Sequence, residues 1–229
     1  MNQWTVLGIA DIPNNGGQLK LSQRGDEFSI RLSGIRGDLM NSRVHGSEEA
    51  LAELGCARLA STEQAQVLVG GLGMGFTLAA ALKAVSPSAQ VTVAELIPAV
   101  VDWNRGPLGE CAGQPLLDGR TGVYIGDVAE LVKEQKQAFD AILLDVDNGP
   151  EGLTHSDNDW LYSAGGLSAL YQSLRPEGTL AIWSAGPDPL FLIRLKKARF
   201  HTTARTVRAR PGKGSRHTIF LAQKSPQIS

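Results

Sequence analysis

Four features of the chain have residue types and spacings suited to chemistry on a nucleoside. The first is Gly70-Gly71-Leu72-Gly73-Met74-Gly75, which directly follows the apolar run Val67-Leu68-Val69 and directly precedes the helical pattern Phe76 to Val85. Gly71, Gly73 and Gly75 form a GxGxG turn, in which missing side chains let a ligand approach the backbone. Taken alone, the pattern also fits a tight, closely packed strand-to-helix turn. The second feature is Glu95, which ends the next strand 20 residues after Gly75 and could accept hydrogen bonds from both hydroxyls of a ribose. The third is Asp127, which could receive an adenine amino group, cap the helix beginning at Val128, or do both. The fourth is Asp145, at the end of the apolar run Ala141 to Leu144, with Asp147 two residues on. A carboxylate there would sit over the reacting part of a ligand and could hold a cationic acceptor or take its proton. Asp147-Asn148-Gly149 also reads as a simple polar turn. Beyond it, Asp157, Asp159, Trp160 and Tyr162 suggest either an aromatic-walled loop over substrate, with Trp160 and Tyr162 as contacts, or helix capping and core packing.

The loop chemistry narrows the ligand. A phosphate-binding loop of the GxxxxGK[ST] kind offers Lys and Ser or Thr, and this turn has neither. A dinucleotide turn reads GxGxxG, whereas here the third glycine comes one position early, which weighs against an NAD-dependent oxidoreductase. A nucleoside without phosphates fits better. His45, His155, His201 and His217 lack zinc-ligand spacing, and no GxSxG elbow is present. No metal is expected. Cys56 and Cys111 are too few for a disulfide framework, and Cys56 lies in an apolar helical pattern as a small buried hydrophobe.

These residues need a scaffold, and the pattern supplies one. Trp4 to Ile9, Gln18 to Ser22 and Phe28 to Leu32 read as three short strands separated by the turn clusters Asn14-Asn15-Gly16-Gly17 and Arg24-Gly25-Asp26. Such a meander has no core of its own and must pack on the rest of the chain or on a second subunit. Ser47 reads as the N-cap of a helix with Glu48 and Glu49 in its first turn. From Val67 strands and helices alternate: strands at Val67–Val69, Val91–Ala94, Val123–Ile125, Ala141–Leu144 and Thr179–Trp183, with a helix predicted over Leu161 to Leu174. Apolar strands in βαβ alternation imply a parallel sheet covered on both faces. Arg199–Arg208 and His217–Ala222 are joined by too few residues for a crossover, so the sheet should end in an antiparallel hairpin. The expected fold is α/β, a doubly wound, mostly parallel seven-stranded sheet. Residues 1–40 would be the N-terminal meander and residues 41–229 the nucleoside-binding domain.

Composition sets outer bounds. Twenty-two Lys and Arg against 23 Asp and Glu in 229 residues give a net charge of −1, which weighs against a whole-surface nucleic-acid or membrane binder. Without a signal-peptide pattern or an apolar run long enough to span a membrane, the expected location is the cytoplasm. The balance hides an asymmetry. Residues 95–159 hold 13 Asp and Glu against 4 Lys and Arg, whereas the chain after Asp188 has ten Lys and Arg and no carboxylate. An acidic site suits a cationic donor and an amine acceptor. The basic tail raises RNA-directed methyl transfer as an alternative, although no aromatic stacking pattern accompanies it.

The runs Val67 to Gly75, Val93-Ala94-Glu95-Leu96-Ile97-Pro98 and Phe139 to Asp145 resemble the spermidine synthase-like branch of the class I S-adenosylmethionine-dependent methyltransferase fold, as do the N-terminal meander and the terminal hairpin. The resemblance implies S-adenosylmethionine or its decarboxylated form as ligand, with Gly71, Gly73 and Gly75 along its aminopropyl or amino-acid arm, Glu95 on the ribose and Asp127 near the adenine. It implies Asp145 beside the attacking amine, a homodimer, and transfer of an aminopropyl or methyl group to a small amine. Three departures separate the chain from standard putrescine aminopropyltransferases. Met74 stands where they carry Asp, Ser47-Glu48-Glu49-Ala50-Leu51 lacks their Tyr-His-Glu triplet, and Asp145-Val146-Asp147-Asn148-Gly149 replaces their Asp-x-x-Asp-Pro turn. The nucleoside half of the pattern is retained and much of the polyamine half is not, so either ordinary S-adenosylmethionine as the donor or an acceptor other than putrescine is expected. A nonenzymatic nucleoside-binding module remains a further alternative.

Overall fold

The computed structural model describes residues 3–13, 16–146, 159–210 and 213–226. Asp147, Asp157, the turn through Pro150, Asn14-Asn15 and Pro211-Gly212 lie outside the described residues. The first sheet is antiparallel, in the order β1 (Thr5–Asp11), β2 (Gln18–Arg24), β3 (Glu27–Leu32) and β4 (Met40–Asn41). The sequence shows only three of these strands. The fourth is two residues long, too short for alternation to register, and is held by backbone bonds from Leu39 to Ile30 and from Ser42 to Phe28.

The second sheet contains seven strands: β5 (Gln66–Gly70), β6 (Gln90–Glu95), β7 (Thr121–Ile125), β8 (Phe139–Leu144), β9 (Leu174–Ser184), β10 (His201–Arg210) and β11 (Lys213–Gln223). Their spatial order is β10-β11-β9-β8-β5-β6-β7. β5 pairs in parallel with both β6 and β8, so the winding reverses between β5 and β8, where open α/β sheets bind ligands. β10 and β11 pair antiparallel, as expected of the terminal hairpin.

Strand alternation divides the core. Val67, Val69 and Leu143 point to one face, toward α1 (Gly46–Gly55), α2 (Phe76–Ala84) and α3 (Pro98–Arg105). Leu68, Ile142 and Leu144 point to the other, toward α4 (Val128–Glu134), α6 (Ala164–Ser173) and α7 (Pro189–Lys197). The N-terminal sheet contributes Leu19, Phe28 and Ile30 to the first of these cores, so the meander packs on its own chain. No helix among the described residues is long and apolar enough to cross a membrane.

Two helix starts differ from the sequence reading. α1 begins at Gly46, with His45 at the cap, and Ser47 lies inside the first turn, its hydroxyl donating to Glu48 Oε2 at 2.6 Å. The helix enters here because Gly46 fits against β10, where a Cβ would stand 3.1 Å from the Ala209 carbonyl oxygen. The helix predicted over Leu161 to Leu174 is broken into α5 (Asp159–Tyr162) and α6. Ser163 adopts an extended conformation between them and its Oγ accepts from Gly166 N, which restarts the helix as an N-cap.

α1 lies close on the sheet at Gly55. A Cβ there would collide with the Leu143 side chain and come within 3.0 Å of Ala181 Cβ. Gly55→Ala should therefore destabilise the fold by about 1–3 kcal/mol through overpacking. A urea unfolding curve with an unchanged midpoint would contradict this close seating of α1.

Candidate active site

The turn after β5 is set by backbone geometry. Gly71 has φ +86°, and a Cβ at that position would stand 2.6 Å from the carbonyl oxygen of Asp145. A side chain is excluded there both by conformation and by the neighbouring loop. The strand ends are tied beyond the sheet: Asp145 N donates to Gly70 O at 2.8 Å, Gly71 N to Ala94 O at 2.9 Å and Gly126 N to Glu95 O at 2.9 Å. Asn104, buried on α3, donates to Gly73 O at 2.8 Å and holds the turn from behind.

A cavity lies above these ends. Gly71 and Gly73, Glu95, Asp127 and Asp145 line it, and the N-terminal sheet closes it with Leu19, Ile30, Leu32 and Met40. Five of the residues singled out by sequence thus meet in one space. Gly75 lies behind the turn, where a side chain would face Asn104, Pro115 and Ala112. Tyr162 is packed in the core, edge-on to Phe191, with its hydroxyl donating to Val146 O at 3.4 Å. Trp160 carries the Lys133 ammonium over its ring at 4.3 Å. Neither aromatic is among the described residues lining the cavity.

The carboxylates differ in surroundings. Glu95 is 7% exposed, which removes the reading of a solvated strand-end carboxylate. Its Oε2 accepts from Leu72 N and its Oε1 from Ile97 N, both at 2.9 Å. Burial raises its pKa, and these amide bonds oppose the rise. The Gly73 and Leu96 amides also act on this carboxylate and lower its pKa. Asp127 caps α4, accepting from Ala129 N at 2.7 Å, and also borders the cavity. Asp145 accepts from Thr77 Oγ1 at 2.6 Å. Burial, reinforced by the Glu48 carboxylate, pushes its pKa up to about 7, with the Thr77 bond opposing.

A second cavity adjoins the first, and Asp145, Met40 and Gly73 belong to both. Its walls include Glu48, Met74, Phe76, Thr77 and Trp183. Sequence reasoning missed Thr77, although a hydroxyl residue two positions after the last loop glycine falls in the first turn of α2, beside the end of β8. It treated Glu48 only as a helix-dipole residue. The basic residues Arg205, Arg208, Arg210, Lys213 and Arg216 lie exposed on the terminal hairpin, away from both cavities. Among the described residues no group of three His, Cys, Asp or Glu side chains could hold a metal.

A family model described as the spermine/spermidine synthase domain matches residues 45–189. The chain belongs to this family. A polyamine aminopropyltransferase from Sulfolobus acidocaldarius is 30% identical over 122 residues, a match spanning 53% of this chain and 39% of that relative. This chain therefore matches about two-fifths of the relative's length. The fold is that of spermidine synthases. One solved in complex with the transition-state analogue AdoDATO has a TM-score of 0.75 at 20% identity, over 97% of this chain and 73% of its own. The spermidine synthase from Thermotoga maritima also has a TM-score of 0.75, at 21% identity over 97% of this chain and 74% of its own. A probable spermidine synthase from Corynebacterium glutamicum has a TM-score of 0.65 at 17% identity, over 98% of this chain and 82% of its own.

In this family member the raised Asp145 carboxyl sets a stability signature. Unfolded, the group ionises near 3.8; folded, near 7. Between those values the folded state holds the extra proton, so stability falls as pH rises from about 4 to about 7. At about 1.4 kcal/mol per unit the loss is about 2–4 kcal/mol after allowing for the solvent that reaches this partly buried side chain. Asp145→Asn keeps the acceptor for Thr77 and removes the charge. It should melt several degrees above the parent at pH 8 and together with it at pH 4. Equal melting temperatures at both pH values would refute the buried-charge assignment.

Proposed function

We propose that the protein is a spermidine synthase-like transferase that moves the aminopropyl group of decarboxylated S-adenosylmethionine onto a small amine. The observation that carries this reading is the position of Asp145, at the junction of the two cavities with its carboxyl near neutrality. In the proposed arrangement the first cavity takes the nucleoside. Glu95 accepts from the ribose hydroxyls, Asp127 lies by the adenine, and Gly71 and Gly73 admit the donor arm where a side chain would block it. Family membership supports the donor class.

The chemistry asks for one displacement. The amine nitrogen bonds to the carbon beside the sulfonium, and the carbon–sulfur bond breaks with its electron pair going to sulfur, leaving a neutral thioether. A protonated amine cannot attack, so its proton must go elsewhere. In this reading Asp145 takes it, and the hydrogen bond from Thr77 orients the carboxylate. A base with pKa near the working pH combines the ionised form with enough basicity to accept a proton.

The departures at Met74 and in the 47–51 stretch motivate the proposal that the acceptor is not handled as in standard putrescine aminopropyltransferases. Assays with labelled decarboxylated donor and a panel of amines should yield aminopropylated amine and methylthioadenosine together. Asp145→Asn should lower kcat by about 100- to 10,000-fold. For the parent, kcat/KM should rise with pH through about 7 as Asp145, facing Thr77 and Glu48, loses its proton. Methyl transfer from ordinary S-adenosylmethionine, with no aminopropyl transfer to any amine, would overturn the reading.

A further inference from the structure

The terminal hairpin concentrates positive charge that the fold leaves uncompensated. Of the arginines up to Arg194, all but Arg36 lie 2.7–3.7 Å from a carboxylate. Beyond Arg194 the pairing stops, and the chain carries no Asp or Glu after Asp188. None of the ion pairs among the described residues involves Arg208, Arg210, Lys213 or Arg216, and all four are exposed. Arg208 Nη1 donates to the Gly214 carbonyl oxygen at 3.4 Å.

Strand register gathers these cations instead of dispersing them. Arg208 stands directly opposite Arg216, and Arg210 opposite Lys213. Like charges facing each other across an antiparallel pair are destabilising, so the arrangement works against the hairpin that carries it. Both pairs lie beyond Thr218, which faces Ser184 as the last residue of β11 joined to β9. The hairpin is therefore a two-stranded ribbon at this end. It is held at its base, where Ala209 is buried and its carbonyl oxygen lies against Gly46 at the start of α1. A fixed base limits the ordering cost of binding.

The residues around the cations select the partner. Among the described residues from 208 to 216, the exposed ones besides the four cations are Gly214 and Ser215. A protein interface or a membrane surface calls for apolar anchors, and the described part of the ribbon exposes none. The Phe, Tyr and Trp side chains after Asp188 are Phe191, Phe200 and Phe220, all buried. His217, at the base of the ribbon, already packs its ring on Trp183 at 4.7 Å. The bases of a single strand thus find no stacking platform here. What the ribbon offers is mostly guanidinium, whose forked donors match phosphate oxygens. We propose that Arg208, Arg210, Lys213 and Arg216 form a docking surface for double-stranded nucleic acid, held through its backbone phosphates without reading base sequence. This goes beyond the transferase reading and does not depend on it.

The test is fluorescence anisotropy of the full chain with labelled DNA and RNA duplexes, and with the matching single strands, between about 50 and about 200 mM salt. With four phosphates neutralised, log affinity should fall against log salt with a slope of about −3 to −4, a loss of about 100-fold over that range. Binding of either duplex with that slope supports the proposal, and the ratio of the two affinities shows which helix form is preferred. Arg208→Gln combined with Arg216→Gln should reduce the slope by about 2 and weaken duplex binding about tenfold or more at the lower salt. Because it relieves a like-charge pair, this variant should melt at or above the parent's temperature, which separates lost docking from lost folding. Lys213→Gln alone should reduce the slope by about 1. Four results would each overturn the proposal: no duplex binding at the lower salt, duplex binding unchanged in the double variant, single strands bound more tightly than both duplexes, or binding confined to anionic phospholipid vesicles.

Discussion

The site depends on one close approach. The backbone of the turn after β5 passes the end of β8 so tightly that the Asp145 carbonyl occupies the space of any side chain at Gly71. The same approach lets Asp145 N donate to Gly70 O. Once these two loop starts are locked, the Asp145 side chain reaches Thr77 on α2 and the turn amide of Leu72 reaches Glu95 on β6. The register of a parallel sheet is thereby carried beyond the sheet and becomes the spacing of the site.

The buried Glu95 and the partly buried Asp145 show how surroundings set chemistry. Glu95 accepts from two backbone amides, a rigid and permanent compensation suited to holding a hydroxyl-bearing ligand. Asp145 has one hydroxyl donor and faces a second carboxylate across a cavity. Less compensation leaves its proton labile near neutrality, which suits a group that takes up and releases a proton.

The family match begins at residue 45, whereas a large part of the cavity wall comes from before it. Leu19, Ile30, Leu32 and Met40 are core residues of the N-terminal sheet and walls of the cavity at once. Met40 also presses on the turn, its sulfur 2.9 Å from where a Cβ of Gly73 would lie. The sheet thus finishes a site whose polar groups come from the α/β domain.

The α/β class, the seven strands, the terminal hairpin and the strand-end positions of Glu95, Asp127 and Asp145 are all legible in the sequence. They follow from local regularities: apolar runs flanked by turn residues, and glycines where backbone must approach backbone. The break at Ser163 was not legible, because a serine in a helical pattern reads as a tolerated residue until its hydroxyl is seen to bond Gly166 N. Nor was the orientation of Gly75, Trp160 and Tyr162, since residue type does not say which side of a turn or helix faces a cavity. The pairing of Thr77 with Asp145 and the sharing of one cavity by Glu48 and Asp145 join residues 68 or more positions apart. Sequence determined which residues stand at strand ends, because period and punctuation are local. Only the tertiary structure decided which carboxylates share a space, because that is settled by how α1, α2 and the N-terminal sheet pack on one face.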